Sequence, residues 1–221
     1  MACDERVFEP QRAGGLSFEV VRLPLPGARE PLGDYARRIR GQLELDGPCI
    51  VGGVSFGGMI AWELAHLAPV ERVVLVASCL QPRAIPLRYH VAERVSRLFP
   101  DSFFQRRLDA KNQAARTVVT SHERVTEEQR RVLFEMARDC GVAMIRRVAR
   151  MIVTWKPTAG RPCPVHAIHG DRDSVIPLRG VRAEEVIRGG GHLINLTHPR
   201  EVNAFLARCF QMEGGPSEPR P

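Results

Sequence analysis

The chain has 221 residues, of which 44% are hydrophobic, 26% charged and 6% aromatic, a composition that suits one globular domain and excludes a disordered chain. Its net charge of +7 would point to a polyanion partner if concentrated on one face, but the arginines interleave with acids, as in Glu127-Glu128-Gln129-Arg130-Arg131, which argues against nucleic-acid binding. The longest apolar run, Val73 to Leu80, is far short of the ~20 residues a membrane-spanning helix needs, no signal-peptide layout opens the chain, and the six cysteines include no CxxC pair; no membrane insertion and a reducing, cytoplasmic setting are expected.

In chain order, Asp4 to Ala13 reads as a short helix and Leu16 to Leu23 (LSFEVVRL) as a strand stopped by Pro24 and Pro26. Leu32 to Leu45, with Tyr35, Ile39 and Leu43 on one face, is predicted helical. Pro48 to Val54 is a buried strand, Phe56 to Leu67 a helix and Glu71 to Ser78 a second buried strand. Short continuous apolar strands separated by helices are the signature of a parallel sheet covered on both faces. The alternation stops over residues 83–158, where only helical periodicities occur. Val91, Val95, Leu98 and Phe99 form one apolar stripe, and Thr126 with Gln129 forms a capping box ahead of Val132, Leu133 and Met136. Strands return at Pro164 to His169 and Glu184 to Ile187, a helix runs from Pro199 to Phe210, and residues 213–221 have the composition of a disordered tail.

The chemistry concentrates at the ends of these strands. Gly53, Ser55 and Gly57 form G-x-S-x-G between a strand and a helix, a sharp turn that presents a serine hydroxyl and needs small residues on both sides. The Phe56 N–H at the start of the following helix is placed to stabilise an oxyanion. A serine needs a base, and the base needs an orienting acid. Asp171 and Asp173 follow one later strand and His192 follows the last, after three glycines. His166 and His169 lie in or at the end of a strand and read as buried, hydrogen-bonded histidines, His198 as a helix-capping residue and Asp171 as a loop-shaping one.

In these features the sequence resembles the α/β-hydrolases of the small serine esterase type. The family pattern H-G-x-x-D-x-x-V/I-P matches His169-Gly170 and Ile176-Pro177 around Asp173, and the G-x-H turn matches at Gly191-His192. The resemblance implies a Ser55, Asp173, His192 triad, an α/β fold with a mostly parallel sheet (residues 1–82 and 159–212), and a helical cap at 83–158. It implies a serine hydrolase acting on a small-molecule carboxylic ester or thioester without metal or organic cofactor. Phe99, Phe103, Phe104, Met136, Met144 and Met151 would form the core of the cap, with some of them lining an acyl pocket. Ala77-Ser-Cys-Leu-Gln-Pro82 offers no alternative acid.

The family also has a strand and a glycine-containing oxyanion loop ahead of the first helix. Here Met1-Ala-Cys-Asp4 matches only the tail of that loop. This implies a second oxyanion donor at or just before Met1 and a true start upstream of it. The rival reading is a non-catalytic ligand-binding module on the same fold, its oxyanion loop incomplete.

Overall fold

The computed structural model describes residues 4–45, 47–109 and 125–211. Met1 and the proposed tail lie outside them. Four strands, β1 (Cys49–Val54), β2 (Val70–Val76), β3 (Val165–Gly170) and β4 (Glu185–Ile187), form one sheet in the order β1-β2-β3-β4 with every pair parallel. The helices are α1 (Glu9–Ala13), which continues a 3-10 turn at Glu5–Phe8, α2 (Leu32–Arg40), α3 (Phe56–Ala65), α4 (Leu87–Ser96), α5 (Asp101–Asp109), α6 (Glu127–Thr154, kinked at Gly141), α7 (Ile194–Thr197) and α8 (Pro199–Gln211).

Side-chain alternation along β2 divides the core. Val73 and Leu75 point to one face, where they pack with Ala61 and Ala65 of α3. Val74 and Val76 point to the other, against Ile168, Val202, Phe205 and Cys209, so that α8 covers that side. Both faces are thus buried, which is why β2 reads as a continuous apolar run rather than an alternating one. Because all four strands are parallel, the segments leaving β1, β3 and β4 emerge at the same edge of the sheet.

Two expectations need correction. Leu16 to Leu23 forms no strand and joins no ladder among the described residues. The predicted period of two survives in its burial, with Leu16, Phe18 and Val20 partly covered and Ser17, Glu19 and Val21 exposed. Alternation records which side faces the protein, and a strand also needs a neighbouring backbone to bond. Among the described residues β1 has a strand neighbour on one side only, β2. The second correction concerns α4, whose Leu87, Val91 and Val95 face solvent while Glu93 is buried and ion-paired to Arg97 at 2.7 Å. A helical apolar stripe fixes a face but not its direction, and here the buried acid points inward.

Between β2 and β3 the described residues form helices only, and a buried carboxylate returns this insertion to the sheet. Glu63 on α3 is 2% exposed. Its oxygens accept from Trp155 Nε1 at 2.8 Å, from the Thr158 N–H at 3.1 Å and from Thr158 Oγ1 at 2.6 Å. Trp62 Nε1 donates to the Thr158 carbonyl at 3.2 Å. At the other end of α6 the expected capping box forms, with Gln129 N–H donating to Thr126 Oγ1 at 3.1 Å and Thr126 N–H donating to Gln129 Oε1 at 2.9 Å.

Glu63→Ala would strand these donors in the interior, at about 1–3 kcal/mol for each one left unpaired. Urea unfolding should show a loss of about 3 kcal/mol or more, against a smaller loss for Glu63→Gln, which keeps one acceptor.

Candidate active site

β1 ends at Val54, and Ser55 follows with φ 54° and ψ −118°, a left-handed backbone that non-glycine residues rarely adopt and that marks a strained, over-determined position. Ser55 is the N-cap of α3, yet its side chain makes no capping hydrogen bond. The strain has turned the hydroxyl away from the helix. Of the two glycines of G-x-S-x-G, the first has a steric reason here, since a Cβ on Gly53 would collide with the backbone of Gly57, whereas a Cβ on Gly57 would meet nothing within 4 Å. A residue not singled out in the sequence completes the turn. Ser78, 1% exposed, donates its hydroxyl to the Ser55 carbonyl at 2.6 Å. The available signal was a small polar residue directly after the strand adjoining the serine turn.

The acid and the histidine are set by two loops bonded to each other. Asp171 N–H donates to Ile187 O at 3.1 Å, Arg172 N–H to Gly190 O at 2.8 Å, and Gly189 N–H to Asp171 Oδ1 at 2.7 Å. A Cβ on Gly170 would overlap the carbonyls of Gly190 and Gly191. Close backbone approach thus requires glycine at position 170. Asp171 shapes the loop, as expected.

Asp173 then reaches His192. Its Oδ2 lies 2.7 Å from His192 Nδ1, and His192 Nε2 lies 2.8 Å from Ser55 Oγ. With Nδ1–H donating to the carboxylate, Nε2 is left to accept the serine proton. The other carboxylate oxygen, Oδ1, accepts from the N–H groups of Val175 and Ile176, both at 2.8 Å. His169, 0% exposed, adds Nε2 at 2.7 Å from Ile176 O and 3.2 Å from Asp173 Oδ2. Burial pushes the Asp173 carboxyl up, but hydrogen bonds from His169 and His192, the positive charge of His192 and the Ile176 N–H outweigh it and hold it well below the usual carboxylate range.

The remaining candidates lie elsewhere. His166 Nδ1 pairs with Glu184 at 3.0 Å, and His198 Nδ1 meets Thr197 Oγ1 at 2.9 Å at the head of α8. Phe56, buried, opens α3, where a first-turn N–H has no partner within the helix. Met1, the other expected oxyanion donor, lies outside the described residues. Cys79 is buried beside this cluster, and burial pushes its thiol up to about 11, leaving it protonated and inert. Among the described residues no group of three or more His, Cys, Asp or Glu side chains could hold a metal ion, and no helix is long and apolar enough to cross a membrane.

Helix α1 and the 3-10 turn before it brace the histidine turn. Gln11 Nε2 donates to Asn195 O at 2.8 Å and Asn195 Nδ2 donates to Val7 O at 2.8 Å, both side chains being buried. Asn195 stands three residues after His192, so these bonds tie the amino-terminal helix to the histidine turn.

Two outcomes follow from this geometry. Gly170→Ala should push the acid loop off the histidine turn, lowering the melting temperature and removing reactivity at Ser55 together. Asp173 is depressed in the folded state relative to ~3.9 in the unfolded chain, so its stabilising contribution is complete above that unfolded value and is lost as pH falls through the lower folded one. The stability difference between the native protein and Asp173→Asn, measured by urea unfolding, should therefore be constant near neutral pH and shrink below about pH 4.

Comparisons with known proteins agree with the architecture. Comparison with curated proteins finds no match. Among solved structures, a thermophilic esterase from Thermogutta terrifontis aligns with TM-score 0.63 at 20% identity, over 94% of this chain and 85% of that one. A structure from work on carboxylesterases of Nitrososphaera gargenis aligns with TM-score 0.67 at 16% identity, over 95% and 86%. A bromoperoxidase from Bacillus anthracis aligns with TM-score 0.63 at 18% identity, over 95% and 88%. At these identities the likeness is one of fold. The family model described as "Alpha/beta hydrolase family" matches residues 5–205. That match runs from the first helical turn through every strand and into the last helix, and on it the chain belongs to the alpha/beta hydrolase family.

Proposed function

We propose that the protein is a serine hydrolase that cleaves a small-molecule carboxylic ester or thioester through an acyl-enzyme on Ser55. The observation that carries this reading is the unbroken chain from carboxylate to imidazole to hydroxyl, 2.7 Å and 2.8 Å long, at the C-terminal edge of the sheet. In the proposed reaction Ser55 Oγ attacks the acyl carbon as its proton passes to His192 Nε2. Asp173 keeps the ring in the required tautomer and stabilises its charged form. The Phe56 N–H and the α3 dipole stabilise the oxyanion. The protonated His192 hands its proton to the departing alcohol or thiol, and water, deprotonated by the same ring, releases the acid. No metal or organic cofactor enters these steps. The esterase and carboxylesterase neighbours support the reaction class, and the free state of Cys49, Cys79, Cys140, Cys163 and Cys209 is compatible with a reducing compartment.

Residues 83–158 are assigned as a cap that influences acyl-chain choice. Its methionines are core elements: Met136 and Met151 are each 2% exposed, and Met151 packs in the cluster of Tyr35, Phe56 and Trp155. Phe103 is only partly buried, stacked at 4.7 Å on Phe99 and edge-on at 5.4 Å to Phe104, which leaves it the better candidate for contact with an acyl chain.

A fluorophosphonate probe should label Ser55 at neutral pH and fail on Ser55→Ala; a folded protein that takes no label would overturn the reading in favour of a non-catalytic module. His192→Ala and Asp173→Ala should each lower kcat on an activated ester by about 10⁴-fold or more, whereas Asp171→Ala and His198→Ala should do far less. Phe103→Ala should shift chain-length preference along a series of acyl esters and thioesters. Met151→Ala should instead cost about 2–5 kcal/mol of stability and leave the preference in place.

A further inference from the structure

The polarity of α4 is inverted, and what surrounds its outward face identifies what that face meets. Leu87, Val91 and Val95 are 75%, 52% and 49% exposed, and Leu98, just beyond the helix, is 80% exposed. Spaced four, four and three residues apart, they form one stripe on one side of the helix. Leu87 to Val95 alone extends about 12 Å at the helical rise, before Leu98 and the half-exposed Phe99 lengthen it. An open apolar surface of this kind marks an interaction site.

The stripe borders a groove of about 550 Å³ whose apolar floor includes Ile85, Leu87 and Val91. Arg83, Arg94 and Arg179 line the same groove, and no acidic side chain among the described residues does. These arginines come from before α4, from α4 and from the loop after Asp173, so their convergence is invisible in the chain order that spreads them among acids. Two acids of this region are already committed: Glu93 pairs with Arg97 at 2.7 Å and Asp101 with Arg146. Arg88, on the same helix, donates to the Ser174 carbonyl, which ties α4 to the loop that holds Asp173 without cancelling the arginine's charge.

We propose that α4 and this groove form a peripheral docking surface for an anionic lipid bilayer. An apolar ridge fringed by arginine, with no free carboxylate among its described residues, fits a layer with single-sign negative charge outside and hydrocarbon beneath. A protein partner of mixed charge would find nothing acidic among the described residues of the groove to pair with its own cations. Docking on this face would set the acid-loop side of the molecule against the bilayer; it is independent of the chemistry proposed for Ser55.

The test is sedimentation of the full chain with vesicles of phosphatidylcholine alone and of phosphatidylcholine with one third phosphatidylglycerol. Binding to the anionic vesicles should be about tenfold or more tighter and should weaken with added salt. The variant Leu87→Ser/Leu98→Ser should lose about tenfold or more, and Arg83→Ala/Arg94→Ala/Arg179→Ala about tenfold to a hundredfold. Equal binding to both vesicle types, or a leucine variant that binds as the native protein does, overturns the proposal. So does a concentration-dependent dimer that the leucine variant abolishes, which would make a second copy the occupant, or binding to a soluble acidic amphipathic peptide with none to vesicles. Should the leucine variant lose its cooperative melt, the arginine variant and the salt series decide the matter.

Discussion

Asp173 is a carboxylate with 4% of its surface exposed, and a buried charge is tolerated only when its lone pairs are satisfied. Two backbone N–H groups hold one oxygen and two histidines face the other. The same bonds that make the acid tolerable fix the acid loop and orient His192, which is then held against Ser55. A buried carboxyl held well below its usual range is therefore also the group that aligns His192 with Ser55, and stability and proposed chemistry draw on one cluster.

The parallel sheet supplies the common edge, and interlocking contacts make that edge rigid. Ser78 supports the serine turn from β2, Gly170 lets the acid loop lie against the histidine turn, and Gln11 with Asn195 binds the amino-terminal helix to that turn. Strain at Ser55 persists because neighbours on several elements hold it, as expected of a backbone conformation costing about 1–3 kcal/mol. Glu63 plays the corresponding part for the insertion. Its carboxylate gathers donors from Trp155 and Thr158, so the long helix α6 ends against the helix that starts at the Ser55 turn.

The helical insertion has two sides with different characters. Its α6 side, with Val148, Met151 and Ile152, belongs to the core. Its α4 side presents leucine and valine outward beside arginines gathered from separate parts of the chain. The first side stabilises the fold, and the second is free to serve association.

The sequence by itself determined the strand-helix alternation, the order of serine, acid and histidine, and the capping box at Thr126. Each is local: periodicity, a glycine-bracketed turn, or a residue just past a strand, and parallel pairing then carries all three strand ends to one edge. The sequence also favoured Asp173 over Asp171 through a pattern, whose physical content is the Gly170 contact and the paired N–H groups. Tertiary structure alone decided that Leu16 to Leu23 joins no ladder among the described residues, because a ladder depends on a second strand that alternation cannot supply. It alone decided that the α4 stripe faces solvent, because periodicity defines a face and only packing gives it a direction. Glu63, Ser78 and Asn195 were hidden for the same reason: a polar residue within a helix or after a strand shows no local sign of the distant donor or carbonyl that makes it necessary.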